Sequence, residues 1–378
     1  MNKEQVYIIL ASQDFQSANH RNLWLEIADQ SGCQVYVANI MADYVTSVLK
    51  RRFGRLKEAK VAPVQVNEHL TVFRPLVYAR PEILPDALFF IVCKNFWKYM
   101  KRVDSEIMSK HVNIIVYNAY WVKILKNSHP DMKIAYYLFD EVRYNGSDYS
   151  INKKRYMHDE YACRHSDVVY TMTKILAESR AEYNSNILVM GNGSIQPSPT
   201  DIPSLKYSRS VAFIGNFRDW VDEEMLESII KSKLDVLFAF AGPVEDNMCC
   251  FLNKLLNTYN NTMYFGKVTK DRMTQLYRMF NIVIIPYKRN PFVQATRPIK
   301  IVESVLAGTP VVTIPMDGYD ECDFIKFASN ESEFSKQIDH LLSNPIDMDS
   351  DEYKTFCINN IWMKVAERII NTFKNETK

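Results

Sequence analysis

Short apolar runs rich in Val, Ile, Tyr and Phe recur along the whole chain, each followed by a longer stretch with helical spacing. In the front half the runs predict strands near Val6–Ser12, Gln34–Ile40, Leu70–Leu76, Ile114–Asn118, Lys133–Phe139, Val168–Thr173 and Asn186–Met190. In the back half they predict Ser210–Gly215, Asp235–Ala241, Thr262–Phe265, Ile282–Pro286, Pro310–Ile314 and Phe324–Ala328. Several runs are apolar at every position rather than at alternate ones, the pattern of strands covered on both faces. Strand–helix alternation then argues for parallel, doubly wound sheets. Between the halves, Ser194–Ser208 carries three prolines and no periodicity, the signature of a linker. The expected plan is α/β: a Rossmann-like domain over residues 1–195, a second over 196–355, and a final helical stretch, 356–378, packing back towards the first. Two such domains would face a cleft at the carboxyl ends of their strands, where ligands bind in these folds.

Composition narrows the class. The chain has 378 residues, 47% of them hydrophobic and 24% charged, as in soluble globular proteins. The formal charge of +2 hides an asymmetry: residues 1–190 hold 25 Lys and Arg against 20 Asp and Glu, leaving 21 against 24 in the rest. The front half is therefore the one suited to an anionic partner. The seven cysteines are scattered with no CxxC spacing, which fits a reducing compartment. The longest wholly apolar run, Ala87–Cys93, is far too short to span a bilayer, and no signal peptide is visible. A cytoplasmic protein is expected. Neither half carries GxGxxG after its first strand, and there is no P-loop, so no NAD, FAD or other cofactor is expected. The seven histidines show no paired ligand spacing, and Asp347-Met-Asp349 reads as the start of a helix, so no metal is expected either.

The most informative stretch is Arg297-Pro-Ile-Lys-Ile-Val-Glu-Ser-Val-Leu-Ala-Gly-Thr-Pro-Val-Val312. It reads as a short helix and then a buried strand, with Pro298 at the first helical position and Gly308 as the left-handed stop. Lys300, Glu303, Ser304 and Ala307 fall at i, i+3, i+4 and i+7 and share one face; Ile301, Val302, Val305 and Leu306 cover the other. Free N–H groups and a lysine at a helix start suit a phosphate. A carboxylate one turn on suits a pair of sugar hydroxyls. A nucleoside diphosphate offers both. An ordinary i,i+3 surface pair is the bland alternative.

Read in order, Val211–Asp222, Phe240–Val244, Met263–Val268, Leu276–Asn281, Val283–Tyr287, the helix above and Trp362–Arg368 resemble the back half of GT-B glycosyltransferases of family four, particularly bacterial enzymes of teichuronic acid and surface-polysaccharide assembly. Pro-x-Lys-x-x-Glu-x-x-x-Ala-Gly-x-Pro-Val-Val at 298–312 is the most specific piece. The front half matches more loosely, through Asn19–Asn22, Tyr137–Glu141, Ser166–Thr171 and Met190–Gly193. The resemblance implies a nucleotide-sugar site: Gly215 leaves room for a diphosphate, Arg218 pairs with phosphate oxygens, and Gly266, Lys267 and Val268 hold the base. Lys300 neutralises the leaving diphosphate and Glu303 binds the ribose. Lys288, Arg289 and Thr296, within Tyr287–Thr296, are the polar candidates around the sugar. Two departures stand out. Ala295 replaces a glutamate that many members carry eight residues before the ribose glutamate, and Asp219–Asp222 replaces the usual lysine-glycine pair.

In the front half, Asp14, His20 and Arg21 follow the first strand, and Asp140 and Glu141 end a later one on the same side. Asp140, Asp14 and His20 are the candidate catalytic groups, for steadying charge or taking the acceptor proton; capping or packing roles are the alternatives. Lys50–Lys57 and Leu84–Arg102 mix cations with apolar and aromatic residues, which suits an anionic membrane face and a lipid-linked acceptor. The reading is a transferase, peripheral at the inner face of the membrane, moving a UDP-linked sugar with retention onto a lipopolysaccharide, capsule or similar glycan. No nucleic acid partner is expected. A nucleotide-sugar 2-epimerase of the same fold and a non-catalytic nucleotide-sugar-binding subunit are the rival readings.

Overall fold

The computed structural model describes residues 4–39, 42–49, 51, 62–144, 150–198, 203 and 205–375. Of the basic segment Lys50–Lys57 only Arg51 is among them; the rest lies outside the described residues. The chain divides into two compact units, residues 1–190 with 365–378, and residues 191–364. The division falls at 190/191 and 364/365, against the sequence boundaries at 195/196 and 355/356. Gly191, at the first crossing, has φ +71°, and a Cβ there would lie 2.8 Å from the Arg297 guanidinium.

Unit 1 is built on an eight-stranded sheet ordered β10-β9-β8-β7-β1-β2-β5-β4. Its strands are β1 (Gln5–Leu10), β2 (Gln34–Ala38), β4 (Val64–Gln65), β5 (Leu70–Phe73), β7 (His111–Val116), β8 (Lys133–Leu138), β9 (Val168–Thr171) and β10 (Ile187–Val189). All neighbours pair in parallel except β4 with β5. Two-residue strands β3 (Ala42–Asp43) and β6 (Leu76–Val77) pair separately. The helices are α1 (Arg21–Ser31), α2 (Tyr44–Leu49), α3 (Phe89–Val103), α4 (Ala119–Ser128), α5 (Lys153–His165) and α6 (Lys174–Glu178). The chain runs outward from β1 on one side, then returns to β7 and runs outward on the other. That reversal is the switch point at which such sheets open a crevice.

Unit 2 repeats the plan with a fully parallel sheet ordered β13-β12-β11-β14-β15-β16. Its strands are β11 (Ser210–Ile214), β12 (Leu237–Ala241), β13 (Thr262–Tyr264), β14 (Ile282–Ile285), β15 (Val311–Thr313) and β16 (Ile325–Phe327). Its helices are α7 (Glu223–Ser232), α8 (Cys249–Thr258), α9 (Met273–Arg278), α10 (Pro291–Gln294), α11 (Ile299–Leu306), α12 (Glu331–Ser343) and α13 (Asp351–Asn359). Every residue of β11, β14 and β15 is buried, which explains the uninterrupted apolar runs. Side-chain oxygens of Asp222, Asn290, Asn330 and Ser350 cap four helix starts, each worth about 1 kcal/mol. The Asp347 carboxylate accepts from the Asp349 N–H in the turn that leads into α13.

The terminal helical stretch is two helices, not one. It breaks at Asn360, where Ser194 and Ile361 bridge in parallel. α13 stays with unit 2: the Tyr353 hydroxyl donates to the Val305 carbonyl at 2.8 Å. The second, α14 (Trp362–Asn375), enters unit 1 from Val365. There the Arg368 guanidinium donates to the Val189 and Met190 carbonyls, and Phe373 meets Tyr7 edge-on at 5.7 Å.

Candidate functional site

At the carboxyl end of the second sheet, three adjacent strands run into glycine. Gly215 follows β11, Gly242 follows β12, and Gly266 lies two residues past β13. The Gly215 N–H donates to the Ala241 carbonyl and the Gly242 N–H to the Gly266 carbonyl, both at 2.8 Å, which laces the three loops together. Two of these glycines are required by space as well as by angle. A Cβ on Gly242, at φ +129°, would lie 2.2 Å from the Gly215 carbonyl oxygen. A Cβ on Gly215, at φ +140°, would lie 2.3 Å from the Lys300 Nζ.

The Lys300 ammonium therefore rests on bare backbone. It donates to the Tyr287 hydroxyl at 2.8 Å and sits 4.7 Å and 5.3 Å from the ring centroids of Phe213 and Tyr287. Among the described residues it makes no salt bridge. β11 supplies Phe213, the end of β14 supplies Tyr287, and α11 supplies the lysine, so the charge stands at the switch point between β11 and β14. Pro298 is the N-cap of α11 rather than its first residue, so Lys300 lies in the first turn, where N–H groups lack intrahelical partners. A cation without a salt bridge beside N–H groups at a helix start has the chemistry that suits an anion.

One turn on, the Glu303 carboxylate accepts from the Tyr277 hydroxyl at 3.0 Å. Burial raises its pKa, against the opposing pull of Tyr277, Lys270 and Lys300. The shared polar face read from the sequence is shorter than expected. Ser304 and Ala307 are buried, because α11 packs against α9 and β15 and the Ser304 hydroxyl is turned to the Thr309 carbonyl. Lys300 and Glu303 alone of that face keep partial exposure.

The remaining candidates in this unit are placed more loosely. Arg218 pairs with Glu245 at 2.6 Å and stacks over Trp220, so an internal carboxylate holds it where a phosphate was expected. Lys267 and Lys288 are exposed, and Val268 packs on the core. The Lys288 N–H ties the end of β14 to the Trp220 carbonyl. Arg289 bonds Ser329. The Thr296 hydroxyl donates to the Val293 carbonyl, and Ala295 is buried. Sequence reasoning gave no role to Tyr277 or to Arg297. Arg297 reaches the Gly318 and Asn192 carbonyls and the Asn360 side chain, and so holds three loops beside α11.

In unit 1, Asp140 follows β8 at the carboxyl end of the sheet. Its carboxyl makes no hydrogen bond or ion pair among the described residues, and burial pushes its pKa up from 3.8 to about 7. Asp14 is occupied: Arg74 and Asn39 both donate to it. The His20 ring is packed against Tyr117, Tyr137 and Phe139, and the Arg21 guanidinium lies over Phe15. Glu141 belongs to a buried network. Arg180 donates to both its oxygens, at 2.6 and 2.7 Å, and also reaches Asp159, which is shared with Arg143 and Tyr136. Burial alone would raise the Glu141 pKa; the Arg180 guanidinium more than reverses it and leaves it lowered. The network anchors the loop that carries Asp140.

Comparison with known proteins bears on the same unit. Residues 208–344 match the model of the family described as glycosyl transferases group 1. This group 1 segment contains β11 to α12, and with them the glycine loops, Lys300 and Glu303. The Bacillus subtilis protein TuaH, named for teichuronic acid biosynthesis as a glycosyltransferase, is 30% identical over 102 residues. That match spans 27% of this chain and about a quarter of the relative's length, 25%. Among solved structures, a sucrose-phosphate synthase from Thermosynechococcus elongatus superposes with TM-score 0.69, at 12% identity, over 99% of both chains. HepE from Anabaena, solved with UDP and glucose, gives TM-score 0.67 at 12% identity, over 99% of this chain and 100% of that one. The fold is therefore GT-B, with a Rossmann-like sheet in each unit.

Proposed function

We propose that this protein is a glycosyltransferase that moves a sugar from a UDP-linked donor to a lipid-linked or growing surface polysaccharide, with retention of configuration. One observation carries the reading: the Lys300 ammonium, which makes no salt bridge among the described residues, seated on the bare backbone of Gly215 at the first turn of α11. A diphosphate placed there meets one positive charge, the helix N–H groups and no side-chain obstruction. Glu303, one turn on and oriented by Tyr277, suits the ribose hydroxyls. In this reading Lys300 and the N–H groups stabilise the leaving diphosphate, and neither a metal nor a cofactor takes part. Unit 1 takes the acceptor, with Asp140 as the acid–base group and Asp14 and His20 beside the end of β1. A group with a pKa near 7 is well matched to proton transfer at neutral pH. The name of TuaH and the UDP and glucose held by HepE support the donor class and the surface-glycan product. The protein works in the cytoplasm, against the inner face of the membrane.

Buried Ala295, standing where relatives of this type carry a glutamate, favours a second reading, a nucleotide-sugar-binding subunit without transfer. A thermal-shift series followed by product analysis separates them. UDP-sugars should raise the melting temperature with concentration, by about 2.7 kcal/mol of added stability at a hundredfold excess over Kd. Sugar transfer to extracted lipid-linked glycan supports the transferase. Interconversion of the donor alone identifies an epimerase, and stabilisation without either a subunit. No stabilisation by any nucleoside diphosphate overturns the site.

A further inference from the structure

Helix α3 presents two opposite chemistries. Phe89, Val92, Cys93, Phe96, Trp97 and Met100 are buried against unit 1. The outward side carries Lys94, Lys98, Lys101 and Arg102, all exposed, together with Phe90, which is 61% exposed. None of the four cations forms an ion pair among the described residues. Two grooves flank the helix and meet at Lys98. One, of about 620 Å³, runs past Tyr44, Leu76, Tyr78 and Arg102. The other, of about 480 Å³, runs past Phe90, Lys94, Lys101 and Met108. Among the described residues no carboxylate lines either groove. Nearby Asp86 is neutralised by Lys123, and Asp104 by Lys110. Among the described residues no helix is long and apolar enough to cross a membrane.

We propose that the outward face of α3 with its two grooves is the surface by which this protein docks on an anionic lipid bilayer. The cations match lipid phosphates, and exposed Phe90, Tyr44, Tyr78 and Met108 lie where apolar side chains enter the boundary between headgroups and acyl chains. A soluble polyanion would use the charges and leave those side chains in water, so the interleaved apolar groups favour the bilayer. The inference deepens the membrane location proposed above and rests on it.

Sedimentation with vesicles tests it on the full chain. The wild type should bind vesicles of phosphatidylcholine with phosphatidylglycerol, bind pure phosphatidylcholine weakly, and release as salt shortens the screening length. Each cation removed should weaken binding about fivefold, so the variant K94Q/K98Q/K101Q/R102Q should lose it, and F90S should lower it in low salt. All five positions are exposed, so the variants should fold, and UDP affinity measured on the same samples should not change. Wild-type-like vesicle binding by the quadruple variant overturns the α3 surface while leaving membrane association standing. No binding to either vesicle overturns both. Binding to RNA as tight as to anionic vesicles, unaffected by F90S, replaces the bilayer with a polyanion.

Discussion

At Lys300 the chemistry comes down to one charge that makes no salt bridge among the described residues. Its neighbours are a hydroxyl and two aromatic rings, which hold the ammonium without neutralising it. Lys300→Ala should lower turnover by about 10²–10³, as loss of one transition-state donor does; steady-state transfer within threefold of wild type would refute the role. Asp140 makes a different prediction. Its carboxyl is held protonated to about pH 7 in the folded chain, against 3.8 ordinarily. Between those values unfolding releases a proton, so this group's contribution to stability is full below 3.8 and is lost as the pH rises towards 7. Asp140→Asn should match the wild type near pH 4 and melt higher by a few degrees at pH 7.5, with turnover down about 10²-fold. Parallel melting curves across that range would show that Asp140 is not desolvated. The lysine was legible in the sequence from its spacing in the 298–312 pattern. The environment of Asp140 was not, because burial is a property of the folded surroundings.

At the scale of elements, the site is a meeting of strand ends. Gly266 accepts the Gly242 N–H, Gly242 leaves room for the Gly215 backbone, and the last contact in the series is Lys300 on Gly215. Gly215→Ala should be tolerated by the fold, because the clash is with the free end of a flexible side chain. It forces an L side chain to φ +140°, a strain of about 1–3 kcal/mol, and displaces the ammonium. UDP affinity should fall at least tenfold in calorimetry while the far-ultraviolet spectrum stays unchanged; unaltered affinity would separate the glycine from the anion site. All thirteen strands expected from the apolar runs are present; all but β12 end one to three residues before the run does, while β1 begins one residue and β7 three residues sooner than the run. The two-residue strands β3, β4 and β6 were not legible, since a pair of residues carries no periodicity.

For the whole molecule, the chain crosses between its units twice, at 190/191 and 364/365. α14 thereby completes the core of unit 1 with residues from the far end of the sequence. Phe373→Ala removes a ring that is 1% exposed and packed on Tyr7, at a cost of about 3–5 kcal/mol. Monitored with UDP present, the loss should appear in the melting of unit 1 and leave the UDP-dependent transition in place. A single transition shifting as a whole would show that the units unfold together.

The sequence by itself determined the two parallel sheets, since unbroken apolar runs are stable only when covered on both faces. It also determined the lysine and glutamate of α11, which lie within one helical turn of each other and need only local geometry to be aligned. Tertiary structure alone decided the rest of the chemistry. It gave Arg218 to Glu245, Asp14 to Arg74 and Glu141 to Arg180, and among the described residues it left Lys300 and Asp140 without a salt bridge. Those partners lie 27, 60 and 39 residues away, and a chain's local pattern says nothing of which distant charge will be folded against it.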